Sequence, residues 1–259
     1  MAPRQPNALL YSWNSSMLKI FFRSIALAVC LWATSGCGII DMFYLPPAED
    51  TAQEIFEAAN EAMSEKNYVR AVELYNKLRD QYPFSPYTVD AELSLGDAYF
   101  LDEEYDLSAE TYKDFESLHP RNEAIPYVLY QTGMSLMKQF HSIDRATTEL
   151  EEAYECFDRL VQTYPDSPYV KSAQENMLAC RKLMAEHELY MADVFRHMKK
   201  YGPAWRRYTY IEENFKDIPE VEEHAREKGL STYHLYRAEQ AAEVRDKREG
   251  SWKDWFRWL

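Results

Sequence analysis

The six residues Tyr82-Pro83-Phe84-Ser85-Pro86-Tyr87 return as Tyr164-Pro165-Asp166-Ser167-Pro168-Tyr169, and Tyr68-x-x-Ala71, Tyr105-x-x-Ser108 and Tyr201-x-x-Ala204 recur around them. A chain that repeats itself on this scale must stack copies of one supersecondary unit, because each copy alone leaves part of its apolar face bare. From Thr51 there is no glycine before Gly96, and apolar residues at helical spacing alternate with prolines. Prolines set where such helices stop, so the expectation is an all-α chain of short helices.

The repeat has a recognisable internal order. The first copy supplies Ile55, Ala59, Ala62, Ala71, Tyr75, Leu78 and Pro83; the second Gly96, Tyr99, Ser108, Tyr112, Phe115 and Pro120. The third supplies Leu129, Gly133, Leu136, Ala153, Phe157, Leu160 and Pro165, with about eight extra residues around 140–148 between its helices. The fourth supplies Ala192, Phe195, Ala204, Tyr208 and Ile211, and a weaker fifth begins at Pro219. Small residues at a close helix crossing, with a proline ending the second helix, resemble the tetratricopeptide repeat. The resulting expectation is a solenoid of about five helix pairs over 51–249, with repeats near 51–83, 88–120, 124–165, 168–216 and 219–249. Tyr75, Tyr112, Phe157 and Tyr208 share one repeat position and read as core.

Ahead of the repeats lies an address. Residues 17–37 carry Lys19 and Arg23, an apolar run from Ser24 to Trp32, and then Thr34-Ser35-Gly36-Cys37. This is a signal peptide over 1–36, too short for a stable membrane span, with Met17 as a candidate start. The small residues before Cys37 resemble a bacterial lipobox, although Thr34 replaces the usual leucine; the resemblance implies diacylglycerol on Cys37. Residues 37–50, stiffened by Pro46-Pro47, form the linker. Gly38, in place of the aspartate that retains enteric lipoproteins at the inner membrane, implies an outer-membrane anchor facing the periplasm.

Charge and motif content narrow the function. The formal charge of −14 becomes −17 once 1–36 is removed, leaving 26 basic against 43 acidic residues, so no nucleic-acid partner is expected. No Gly-rich phosphate loop, H-E-x-x-H, C-x-x-C or G-x-S-x-G occurs, and the six histidines are scattered. Acid pairs such as Glu103-Glu104 and Glu151-Glu152 read as solvated faces. The expectation is a protein that is not an enzyme, with no catalytic residue, metal or cofactor. In the body, Cys156 and Cys180 read as two buried thiols rather than a disulfide.

The order of features resembles the BamD family, tetratricopeptide lipoproteins of the outer-membrane β-barrel assembly machine. The resemblance rests on Tyr82–Tyr87, on Tyr127-Val128-Leu129-Tyr130-Gln131-Thr132-Gly133, on Asp144-Arg145, on the 164–169 turn, and on a long helix 172–199 running into Gly202-Pro203-Ala204-Trp205. It implies a scaffold whose carboxy-terminal repeats hold a periplasmic POTRA domain of the barrel-forming subunit. Its amino-terminal repeats engage unfolded outer-membrane proteins, and accessory lipoproteins are further partners. Another tetratricopeptide lipoprotein, such as a secretin pilotin or a cell-wall coordination factor, would share the anchor and the repeats.

Three surfaces emerge as candidates. Tyr82, Phe84 and Tyr87 set large rings at a helix end within residues 41–120, which carry a net −14, and suit extended aromatic-ended peptide; the competing reading is that the tyrosines seal neighbouring helices. Residues 181–216 reverse the sign, with eight bases against five acids, and supply Arg206, Lys216 and an exposed aromatic anchor, Trp205, for partner binding. By resemblance, Lys216 stands where the family has an arginine that pairs with a POTRA carboxylate. The tail 250–259 puts Trp252, Trp255, Phe256 and Leu259 on one helical face, fit to fold back or to dock.

Overall fold

The computed structural model describes residues 51–249 together with Arg23 and Ile25. Contacts divide the chain at Thr51; Arg23 and Ile25 are helical, and the repeats occupy the second unit. Cys37, the linker and the tail 250–259 lie outside the described residues. The helices are α1 (Ala52–Ser64), α2 (Tyr68–Gln81), α3 (Thr88–Leu101), α4 (Tyr105–Leu118), α5 (Ile125–Gln139), α6 (Thr148–Thr163), α7 (Val170–His197), α8 (Tyr201–Asn214) and α9 (Pro219–Glu249). Each packs mainly on its chain neighbours, so the all-α solenoid stands. The fifth unit differs from expectation: between 219 and 249 there is one helix of 31 residues rather than a pair.

The first and second helices of a pair cross at small residues. A methyl group on Gly96 would lie 2.6 Å from the Tyr112 ring, and one on Gly133 would lie 2.6 Å from Phe157, so only glycine lets these rings sit down on the backbone. Where Ser108 replaces alanine on the facing helix, its hydroxyl donates to the Gly96 carbonyl at 3.0 Å, so the crossing stays satisfied. The rings and the residues around them are fully buried: Tyr75, Tyr112, Phe157 and Tyr208, with Leu78, Phe115, Leu160 and Ile211 one turn later.

A buried tyrosine must place its hydroxyl, and the three tyrosines at this repeat position do so identically. Tyr75 donates to Asn60 at 2.6 Å, Tyr112 to Asp97 at 2.5 Å and Tyr208 to Asp193 at 2.5 Å, each across 15 residues. In the third pair Phe157 has no hydroxyl, and the matching acceptor position holds Met134. Donor and acceptor disappear together. Asp97 also accepts from Tyr127, tying the second pair to the third. Burial raises the Asp97 carboxyl above its ordinary value, against the two hydroxyls that hold it down, while burial with Asp97 alongside pushes the Tyr127 phenol up to about 12.

Turns within pairs share a second device. Lys66, Glu103 and Lys199 sit at φ 61, 65 and 59, in the left-handed region. The next amide in each case reaches five residues back: Asn67 to Ala62 at 2.8 Å, Glu104 to Tyr99 at 3.0 Å and Lys200 to Phe195 at 2.9 Å. The third pair replaces this turn with the 140–147 insertion, held by the His187 ring, which donates to the Ile143 carbonyl at 2.6 Å. Cys156 and Cys180 are free and buried, and burial pushes their thiols up to about 11 and about 12.

The matched loss of hydroxyl and acceptor makes a prediction. Phe157→Tyr alone strands a buried hydroxyl and should cost about 1–3 kcal/mol. Adding Met134→Asn, which copies the Asn60–Tyr75 pair, should recover most of that loss in urea unfolding midpoints.

Candidate functional site

The turns between pairs share one frame and differ in what they display. Ser85, Asn122, Ser167 and Ile218 each donate their amide to the carbonyl three residues back, at 3.0 Å in every case. In the two Tyr-Pro-x-Ser-Pro-Tyr turns the serine Oγ also accepts from the second tyrosine amide at 3.3 Å, and Tyr87 and Tyr169 have the same backbone angles. Tyr87 stacks on Phe56 at 5.4 Å, as Tyr169 stacks on Tyr130 at 5.4 Å, and Tyr82 packs against the first core cluster. Both tyrosines of the candidate site therefore do structural work in the turn. Phe84 does not: it is 98% exposed. The equivalent positions in the other turns hold Arg121, Asp166 and Asp217, so Phe84 puts an aromatic ring where its counterparts are charged.

At the other end of the solenoid, the basic segment resolves into two groups. Arg181 spends its fork on Asp217, with Nη2 at 2.5 Å from Oδ1 and 2.6 Å from the Asn214 carbonyl, and lies over the Phe215 ring at 5.0 Å. Arg207 pairs with Glu188 at 2.5 Å, Lys182 lies within 4.0 Å of Glu186 and Glu220, and Arg196 reaches Ser231. Lys199, Lys200, Arg206 and Lys216 are exposed and make no ion pair among the described residues. Lys216 occupies the turn position that holds Pro83, Pro120 and Pro165 elsewhere, on a loop that Arg181 fastens from below.

Trp205 corrects the expectation of an exposed aromatic anchor. Its ring is half-buried, 5.1 Å from Tyr233 and stacked on Tyr236 at 5.8 Å. The reason is positional: Trp205 aligns with Val72, Ala109 and Tyr154, which face inward or half-inward in their repeats. One edge still lines a shallow groove of about 410 Å³ with Leu230 and Tyr233. The exposed ring near Lys216 is Tyr210, 48% exposed and edge-on to Phe215 at 6.0 Å. Sequence reasoning passed over Tyr210, although a signal was there: the same repeat position holds Lys77, Asp114 and Arg159. Leu178, one turn before Arg181 on α7, is exposed as well.

Among the described residues there is no group of three metal-ligating side chains, and no helix is long and apolar enough to cross a membrane. What the described repeats offer is a bare phenylalanine in the turn after the first pair and a tyrosine–lysine patch on the fourth. The stacked helix pairs define a helical-repeat protein. Residues 48–248 match the YfiO family, described as outer membrane lipoprotein. The chain belongs to this family. It is similar to the outer membrane protein assembly factor BamD of Vibrio cholerae, 28% identical over 183 residues that cover 67% of this chain and 74% of the relative. It is also similar to BamD of Neisseria meningitidis serogroup A, 26% identical over 238 residues, 88% of this chain and 89% of the relative. Among solved structures, a tetratricopeptide repeat protein from Parabacteroides merdae superposes over 77% of this chain and 80% of its own, with a TM-score of 0.38 and 13% identity. Membership supports a role in outer-membrane protein assembly.

The Lys216 loop has a pH signature. The Arg181 hydrogen bonds hold the Asp217 carboxyl below its ordinary value of 3.8. A lowered acid binds fewer protons folded than unfolded, so its contribution is present above the ordinary value and is lost as pH falls through the depressed one. Asp217→Asn should lower the melting temperature at pH 7 and flatten its decline below about pH 4, measured by calorimetry.

Proposed function

We propose that this chain is a lipid-anchored scaffold on the periplasmic face of the outer membrane. It holds the barrel-forming subunit of the assembly machine through a POTRA domain and receives segments of unfolded outer-membrane proteins. The observation that carries the reading is the contrast between its two displays. Phe84 projects from a half of the chain that is strongly acidic, whereas Tyr210, Lys216 and Arg206 project from the segment where charge reverses. An extended chain with aromatic side chains and basic flanks suits the first. A folded partner presenting carboxylates suits the second, with Tyr210 as the aromatic contact.

Lysine at 216 supplies charge without the bidentate fork, so the contact with a partner carboxylate should depend more on salt than one made by arginine. The fork at this loop belongs to Arg181 on α7, which is committed to Asp217. Accessory lipoproteins fit the same scaffold logic, and the lipid on Cys37 supplies the membrane attachment that a net charge of −17 cannot.

Three variants test this. Phe84→Asp should weaken binding of a barrel-protein carboxy-terminal peptide by roughly tenfold with an unchanged melting temperature, read by fluorescence anisotropy, because the ring touches nothing within the fold. Lys216→Glu combined with Tyr210→Ala should abolish co-purification of the barrel-forming subunit and leave the peptide affinity untouched. Equal recovery would remove the second display from the proposal. Cys37→Ser should release the chain from the membrane fraction as a folded helical protein, because the repeats bury their faces without lipid.

A further inference from the structure

α9 stands where a helix pair is expected, and the repeat register shows which half is missing. Gly96 follows Pro83, and Gly133 follows Pro120, by thirteen residues; thirteen after Lys216, which holds the same turn position, comes Gly229. Leu230 then takes the place of Asn60, Asp97 and Met134, and Tyr236 takes the place of Lys66 and Glu103. At Lys66 and Glu103 a positive φ turns the chain back into the second helix of its pair. Tyr236 stays helical, with its ring stacked on Trp205 at 5.8 Å, and α9 runs straight through to Glu249. The face of α9 on which a second helix would lie is uncovered among the described residues, and Leu230 on it is 64% exposed.

The vacant place is the groove of about 410 Å³ between α8 and α9, floored by Gly229, Leu230 and Tyr233 and walled by Trp205, Thr209 and Glu212. The second pair shows what such a wall meets, since Ala109, Lys113 and Glu116 hold the same positions on α4. There the next second helix, α6, rests Phe157 on Gly133 and, two residues on, pairs Arg159 with Glu116, while its Glu152 meets Lys113 at 2.7 Å. Glu212 keeps the acid of that wall, with Oε1 3.2 Å from where a methyl group on Gly229 would be, and it forms no ion pair among the described residues. Burial, with Glu222 alongside, raises its carboxyl above the ordinary value, although Arg226 pulls the other way. Leu230 offers no acceptor to a hydroxyl, so the ring that suits it is a bare hydrocarbon, as Phe157 suits the repeat that holds Met134.

We propose that this groove receives an amphipathic helix of a partner protein, one that completes the fifth pair and carries an apolar ring followed two residues later by arginine or lysine. The ring fills the space over Gly229 and Leu230, and the cation answers Glu212. Thr209 stands where α4 has Lys113, so the acidic contact made by Glu152 has no counterpart, and recognition rests on ring and cation. A second copy of the chain fits poorly, because it brings a formal charge of −14 to a wall whose unanswered group is itself a carboxylate. Tyr210 and Lys216 do not line the groove, so it is a second contact surface on the fourth pair and distinct from the tyrosine–lysine patch.

Because α6 carries this pattern, its own sequence is the probe. A fluorescent, helix-stapled peptide of residues 148–163 should bind the full chain, read by anisotropy. Leu230→Asp in the chain and Phe157→Ala in the peptide should each weaken binding by about tenfold or more, the former without a change in melting temperature because the side chain is exposed. Arg159→Glu in the peptide should weaken it as well, and Glu212→Lys in the chain should restore that peptide alone. Lys216→Glu with Tyr210→Ala should leave peptide binding intact, which separates this groove from the proposed contact with the barrel-forming subunit. No binding, binding indifferent to Leu230→Asp, or a charge exchange that restores nothing would overturn the proposal. So would self-association of the full chain that Leu230→Asp abolishes, which would assign the groove to a second copy.

Discussion

Each helix pair depends on how closely its two helices can cross. At Gly96 and Gly133 an aromatic ring from the second helix rests where a methyl group would have to be, and the side chains that follow take their depth from that contact. The ring brings a hydroxyl with it in three pairs, and burial then demands an acceptor on the first helix one residue past the crossing. An unpaired buried hydroxyl costs about as much as a core truncation, so the position next to the crossing is fixed by its partner rather than by helix propensity. The third pair makes the dependence visible, because the acceptor is absent where the ring is phenylalanine.

A scaffold built this way leaves its outward positions free. Substitutions there usually change stability by less than about 0.5 kcal/mol. Comparing the chain with itself then separates structure from display. At the turn position after the helix-ending residue the repeats hold Arg121, Asp166 and Asp217, but Phe84 in the first; on the outer face of the second helix they hold Lys77, Asp114 and Arg159, but Tyr210 in the fourth. At Phe84 a ring in water gains the fold nothing, at Tyr210 it gains only the edge contact with Phe215, and in both cases it replaces a charge. Those exchanges are the positions at which the repeat stops being generic.

This comparison also shows what was legible in the sequence. Periodicity, small residues at crossings and prolines at helix ends are local signals, and they located the first four pairs and the core at the crossings, whereas Leu95, Val128, Leu150 and Val221, equally buried between neighbouring helices, were not singled out. Trp205 was misread as exposed because tryptophan was weighed as a residue type, whereas its repeat position already placed it inward with Val72 and Ala109. The Arg181–Asp217 clamp left no trace, since its partners are 36 residues apart and each alone looks like a surface charge. Counting bases over 181–216 likewise overstated the field, because Asp217, which neutralises Arg181, and Glu220, which lies beside Lys182, fall just outside the counted stretch.

The clamp explains how one loop can carry both rigidity and an unspent charge. Arg181 meets the Asp217 carboxylate, the Asn214 carbonyl and the Phe215 ring at once, a combination that needs a planar, multiply donating group. Lys216, one residue away, makes no such contact, and its flexible stem keeps a point charge in solvent. Were the two residue types exchanged, the lysine would hold Asp217 through a single contact, and the loop would lose its fixed geometry as acid protonated the carboxylate. The exposed arginine would then be free to fold onto the vacated acceptors. Placing the fork on the loop's own acceptors and the point charge in solvent keeps the loop ordered while Lys216 stays unpaired among the described residues.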